Sequence, residues 1–117
     1  MGLTIEQALQ QGVAAHKEGR LQDAERLYQV ILQSQPKHPD ANHNLGLIAL
    51  SVNNIEAALP FFKNALKSDP KEEQFWSSYI QALLSVKQFQ SAKNVLTQGK
   101  KYGLTKSKYH FIDPQSD

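Results

Sequence analysis

His38, Asp40 and His43 fall within six residues of one another and are the first donors in this chain to suggest a metal centre. Their spacing argues against one. His38 stands beside Pro39, in a turn, and no second histidine follows His43 at the four-residue interval that puts two imidazoles on one helix face. A zinc site needs four converging ligands, or three with an open position. The carboxylates are scattered, and there is neither a Ser-His-Asp arrangement nor a glycine loop of the phosphate-cradling kind. Cysteine is absent, which removes thiolate ligands, disulfides and cysteine nucleophiles. The expectation is a non-catalytic chain with no cofactor, no metal and no small-molecule substrate.

Charge offers a second kind of chemistry. The net charge is only +2, but it is unevenly placed. Residues 1–73 carry seven Lys/Arg against nine Asp/Glu, whereas residues 74–117 carry six Lys against two Asp. Lys87, Lys93, Lys100, Lys101, Lys106 and Lys108 form a run interleaved with Tyr102, Tyr109 and His110, with no acid from Val86 to Ile112. Nucleic-acid binders concentrate more cation on a recognised module. The preferred reading is therefore a solvated outer face of the last helix, with docking of an acidic protein as its better use. Nucleic-acid binding stands as a disfavoured alternative.

The elements that must position these residues follow from a repeat. "GRLQDAERLYQVILQSQP" and "NNIEAALPFFKNALKSDP" lie 34 residues apart, and at that offset Ala24, Ala58 and Ala92 align, as do Tyr28, Phe62 and Leu96. Pro36 and Pro70 align with Leu104, Gly12 and Gly46 with Ile80, and Gly19 and Asn53 with Lys87. Apolar residues recur at three and four within each half-unit, as at Ala41, Leu45, Ile48, Ala49 and Val52. Each unit thus reads as two antiparallel helices joined by a tight turn, where Gly19 and Asn53 suit a left-handed backbone. Pro36 and Pro70 should end the second helix of their units. Pro60 should fall in the early turns of its helix, where little hydrogen bonding is lost.

This pattern resembles the tetratricopeptide repeat, whose 34-residue unit carries a W-x2-L-G-x2-Y, A-x3-F, P signature. The middle unit matches through Leu45, Gly46, Ala49, Ala58, Phe62 and Pro70, with Asn42 where Trp is typical. The first keeps Gly12, Ala24, Tyr28 and Pro36, and the third has Trp76, Tyr79 and Ala92 without the glycine or the final proline. The resemblance implies an all-α, right-handed superhelical solenoid of three hairpins. The expected units are approximately 5–38, 39–72 and 73–104, followed by a short capping helix at 105–112 and a disordered tail at 113–117. So thin a cap leaves room for homo-oligomer formation through the C-terminal end.

Stacked hairpins curve so that their first helices line the concave face, where such arrays bind. Helical spacing places Gln10, Val13 and Lys17 there from the first unit, beside Glu6, Leu9 and His16. The second contributes His43, Asn44, Leu47, Leu50 and Ser51, and the third Gln74, Ser78 and Gln81 beside Leu84. Amides and hydroxyls next to a Leu/Val strip suit a peptide or protein segment, whose backbone the amides can bond whatever its sequence. The family's carboxylate clamp for chaperone tails needs cations where this chain has Leu9, Gln74 and Ser78, so that partner is not expected. Asn44 also resembles one rung of the asparagine ladder in O-GlcNAc transferases. That likeness gives an alternative reading, a substrate-recruiting part of a larger glycosyltransferase-like enzyme.

The apolar run Leu45–Leu50 is far shorter than the ~20 residues a membrane span requires, so no membrane partner is expected. The start has no basic segment followed by an apolar one, and a cytoplasmic location is the plain expectation.

Overall fold

The computed structural model describes residues 2–104, and among them finds six α-helices and no strand. They are α1 (Ile5–Lys17), α2 (Leu21–Ser34), α3 (Pro39–Ser51), α4 (Ile55–Ser68), α5 (Glu73–Ser85) and α6 (Phe89–Lys100). α1 opens on a reciprocal cap in which the Gln7 amide N–H donates to Thr4 Oγ1 and the Thr4 amide N–H to Gln7 Oε1, each at 3.0 Å. At the start of α3, His38 Nδ1 accepts the Ala41 amide N–H at 3.1 Å, which leaves that nitrogen no lone pair for a metal. Among the described residues no group of three or more histidines and carboxylates could hold a metal ion.

The turns inside the hairpins repeat as closely as the helices do. Gly19, Asn53 and Lys87 have φ of 79°, 60° and 62°. The residue after each reaches back five positions, Arg20 to Ala15, Asn54 to Ala49 and Gln88 to Leu83, by backbone hydrogen bonds of 2.8–2.9 Å. This is a left-handed helix stop that satisfies otherwise orphaned carbonyls. Gly103, with φ of 95°, and the 3.1 Å bond from Leu104 to Gly99 end α6 in the same way. Lys87 adopts the conformation without the residue type that favours it.

Close approach within each hairpin depends on glycine facing an aromatic ring. A Cβ on Gly12 would lie 2.6 Å from Tyr28 Cε1, and one on Gly46 2.4 Å from Phe62 Cε1, so neither ring has room for it. Tyr28 and Phe62 are fully buried in consequence, each burial contributing about 1.5–3 kcal/mol. In the third hairpin the sizes are exchanged, with Ile80 where glycine stood and Leu96 where the ring stood, both buried in one cluster. Volume moves from one helix to the other, which explains how this unit dispenses with glycine.

A second device joins the repeats. The Trp76 indole N–H donates to the carbonyl of Pro70 at 2.7 Å, and the Asn42 amide donates to the carbonyl of Pro36 at 3.1 Å. Asn42 therefore does the hydrogen bonding of the tryptophan it replaces, and adds a 2.9 Å bond to the His38 carbonyl. α4 runs unbroken through Pro60, its sixth residue, within the early turns of the helix where the sequence places it. The ring removes one donor and sits exposed, so the loss falls on the solvent side.

Buried clusters cross the boundaries between units. One cluster joins Ala8, Ala15, Tyr28 and Ile31 to Ala41, Leu45 and Ile48 of α3, and a second joins Ala58 and Phe62 of α4 to Ala82 of α5. The third runs from Ala65 and Leu66 through Trp76 and Ile80 to Leu96 and Leu104. Each hairpin buries its apolar side on the next, the arrangement that defines a solenoid. α1, α3 and α5 touch in succession and form one layer, with α2, α4 and α6 outside it, in a body of 54 × 26 × 20 Å. The expected cap at 105–112 and the tail lie outside the described residues. No helix among those described is long and apolar enough to cross a membrane.

Candidate functional site

α1, α3 and α5 present one face away from the outer helices, and there the sequence-derived residues separate into three kinds. Gln10, Gln74 and Gln81 are exposed and their side-chain amides form no hydrogen bond with described residues, so these amides are open to a ligand. Lys17 is exposed as well. Val13, Leu47 and Leu50 are half-buried, and Leu47 and Leu50 pack against the cluster around Phe62 and Ala82. Ser51 is exposed, but its hydroxyl donates to the Ile48 carbonyl at 2.7 Å, one turn back on its own helix.

His43 and Ser78 belong to the third kind. They are buried, 4% and 7% exposed, and His43 Nε2 lies 2.8 Å from Ser78 Oγ. The imidazole is tilted against Phe75 and Phe62, with ring centroids 4.7 and 5.5 Å away. Burial pushes the His43 pKa below its usual value, against the opposing pull of Asp40, Asn44 and Glu72. Expected as surface contacts, these two residues instead bond α3 to α5 and fasten the second unit to the third. Their separation of 35, one repeat plus one, was the available signal: it sets side chains of successive first helices beside each other.

Asn44 sits at the centre of the face, half-buried, beside both His43 and the Tyr28 hydroxyl. Burial raises the Tyr28 pKa and Asn44 draws it back. The approach falls short of a well-formed hydrogen bond, so the Tyr28 hydroxyl is buried with no hydrogen-bond partner among the described residues. Asn44 is therefore anchored near the core while part of its amide still faces outward. The face thus carries exposed glutamines at both ends, Asn44 in the middle and half-buried Val13, Leu47 and Leu50 between them. Leu9, Gln74 and Ser78, where a carboxylate clamp would need cations, supply none.

A family model described as tetratricopeptide repeat matches residues 49–110. Cellulose synthase operon protein C of Komagataeibacter xylinus is 28% identical over 92 residues, a stretch that is 79% of this chain and 7% of that protein. Among solved structures, the Sgt2 TPR domain from Aspergillus fumigatus superimposes with a TM-score of 0.76 at 20% identity, over 94% of this chain and 75% of that one. MamA AMB-1 gives 0.75 at 20% identity, over 86% and 55%. The first TPR of Spaghetti, bound to an HSP90 peptide, gives 0.74 at 13% identity, over 96% and 81%. At these identities the structures share the fold. With the family model covering more than half of the sequence, the chain belongs to the tetratricopeptide repeat family.

Proposed function

We propose that the chain is an interaction module that holds an extended or helical segment of a partner protein against α1, α3 and α5. What supports this reading is the make-up of the face that would form the binding trough: the Gln10, Gln74 and Gln81 side-chain amides, unpaired among the described residues, flank a half-buried Val13, Leu47 and Leu50 strip, with Asn44 between them. Amide side chains bond peptide backbone without regard to sequence, and the apolar strip takes the partner's aliphatic side chains. The peptide-bound Spaghetti structure supports a TPR as a holder of peptide. The acidic end of that peptide has no counterpart here, because Leu9, Gln74 and Ser78 carry no cation. The segment held in this trough is accordingly neutral and partly apolar. His43 and Ser78 act beneath it, keeping α3 and α5 in register.

The test uses neutral peptides selected from a random display library against the intact chain. Replacing Asn44 with Ala and Leu47 with Ser should weaken their binding at least tenfold, about 1.4 kcal/mol. Circular dichroism should show unchanged helicity. Undiminished binding by the double variant would move the interface off this face.

A further inference from the structure

The lysines that form a run in the sequence do not form one surface. Lys101 lines a groove together with two lysines that the run does not contain, Lys63 and Lys67 of α4, and Lys87, Lys93 and Lys100 are not among its lining residues. The groove lies in the outer layer, between α4 and α6, with a volume of about 640 Å³. Trp76 and Tyr79 of α5 line it from below, and Tyr102 stacks on Trp76 with ring centroids 5.7 Å apart and planes 26° apart. Among the described residues no carboxylate lines it.

The corresponding place one repeat earlier, between α2 and α4, shows that this is not a general feature of the fold. Shifting by 34 residues, Lys63 and Lys67 become Gln29 and Gln33, and Val95 becomes Phe61. Phe61 packs with Leu32 against the first core cluster and fills the space that Val95 leaves open. Trp76 and Tyr102 become Asn42 and Ser68. Lys101 becomes Lys67, so one lysine remains where the later seam has three, and Phe61 occupies the place of the smaller Val95.

We infer that this outer groove is a second docking site, separate from the trough, for an acidic protein segment carrying apolar side chains. Lys63 and Lys67 are one helical turn apart, about 5–6 Å at their bases. Acids at alternate positions of an extended segment repeat at about 6.5–7 Å, close enough for both to reach a lysine. Lys101 receives a carboxylate from the facing side, and the Trp76–Tyr102 pair takes the apolar side chain between them. Three cations with no acid among the described lining residues favour an anionic partner.

Trp76 is the only tryptophan in the sequence, so its emission reports on the groove directly. The probe is a short peptide alternating Glu with Leu, and its control replaces Glu with Gln. The acidic peptide should perturb Trp76 emission and bind at least tenfold more tightly than the control, with affinity falling steeply from about 50 to 500 mM salt. Lys63→Glu with Lys67→Glu should remove that preference, and Lys63→Gln with Lys67→Gln should reduce it while sparing the fold. Asn44→Ala with Leu47→Ser should leave it unchanged, which separates this site from the trough. Equal binding of the two peptides, or a preference that survives the double charge reversal, would overturn the inference. So would a single-stranded oligonucleotide that displaces the peptide at lower concentration, which would assign the groove to nucleic acid.

Discussion

Adding one methyl group at Gly46 sets helix propensity against packing. In an exposed helix interior, Gly→Ala stabilises by about 1 kcal/mol, because alanine loses less backbone entropy on folding. At Gly46 the new Cβ would stand 2.4, 2.7 and 2.9 Å from three atoms of the Phe62 ring, all inside ordinary contact. Phe62 has no exposed surface, and His43 lies against its ring, so the ring cannot swing aside freely. Overpacking of this kind costs about 1–3 kcal/mol, and three simultaneous clashes put the site toward the upper end. The net expectation is a loss of about 1–2 kcal/mol, or roughly 4–8 °C in Tm for a chain of this size. The third unit indicates the remedy, since Leu96 accompanies Ile80 there. Phe62→Leu alone should cost about 1–2 kcal/mol through the space it leaves, while Gly46→Ala with Phe62→Leu should cost clearly less than the two losses added. Urea titrations followed at 222 nm measure all three. A Gly46→Ala chain as stable as the parent, or strictly additive losses, would refute the account of how the hairpins close.

Lys87→Gly should stabilise by about 0.5–1 kcal/mol, since a φ of 62° is strained for lysine and free for glycine; a lower urea midpoint would contradict the turn assignment. Asn42→Ala should cost about 1–3 kcal/mol by leaving the Pro36 carbonyl without its donor, the His38 carbonyl keeping the Asn42 backbone N–H, and an unchanged midpoint would show the side-chain bonds to be dispensable. The His43 pKa is lowered in the folded state, so in the window between that value and the unfolded ~6.5 the unfolded chain binds a proton that the folded one refuses. Stability should therefore be fully present above ~6.5 and decline as pH falls through that window, and His43→Gln should flatten the slope; parallel profiles from about pH 5 to 8 would dismiss the effect.

The architecture was legible because its determinants are local and periodic. The alternation of small and large at Gly12 and Tyr28, and again at Gly46 and Phe62, is written at one spacing, and the structure closes each pair as that spacing implies. Lys87 shows the strength of a repeat: its residue type gives no hint of a left-handed turn, while its alignment with Gly19 and Asn53 does. Residues on the inner face were harder to sort, since helical spacing shows which way a side chain points but not what stands opposite. His43 faces the groove by periodicity, yet Ser78 and two phenylalanine rings meet it from neighbouring elements and enclose it. The outer groove was invisible for a related reason. It exists because Val95 is smaller than Phe61 and because α4 lysines face α6 across the layer, a relation between units rather than within one.

Where a bound segment rests is the question that decides the functional reading most directly. Amide chemical-shift mapping of the isotope-labelled chain, titrated with a neutral peptide selected against it, answers it. The largest changes should gather on Gln10, Asn44, Leu47, Leu50, Gln74 and Gln81, leaving Lys63, Lys67 and Lys101 silent. Changes confined to α2, α4 and α6, with the trough amides unmoved, would contradict the claim that the inner layer holds the partner.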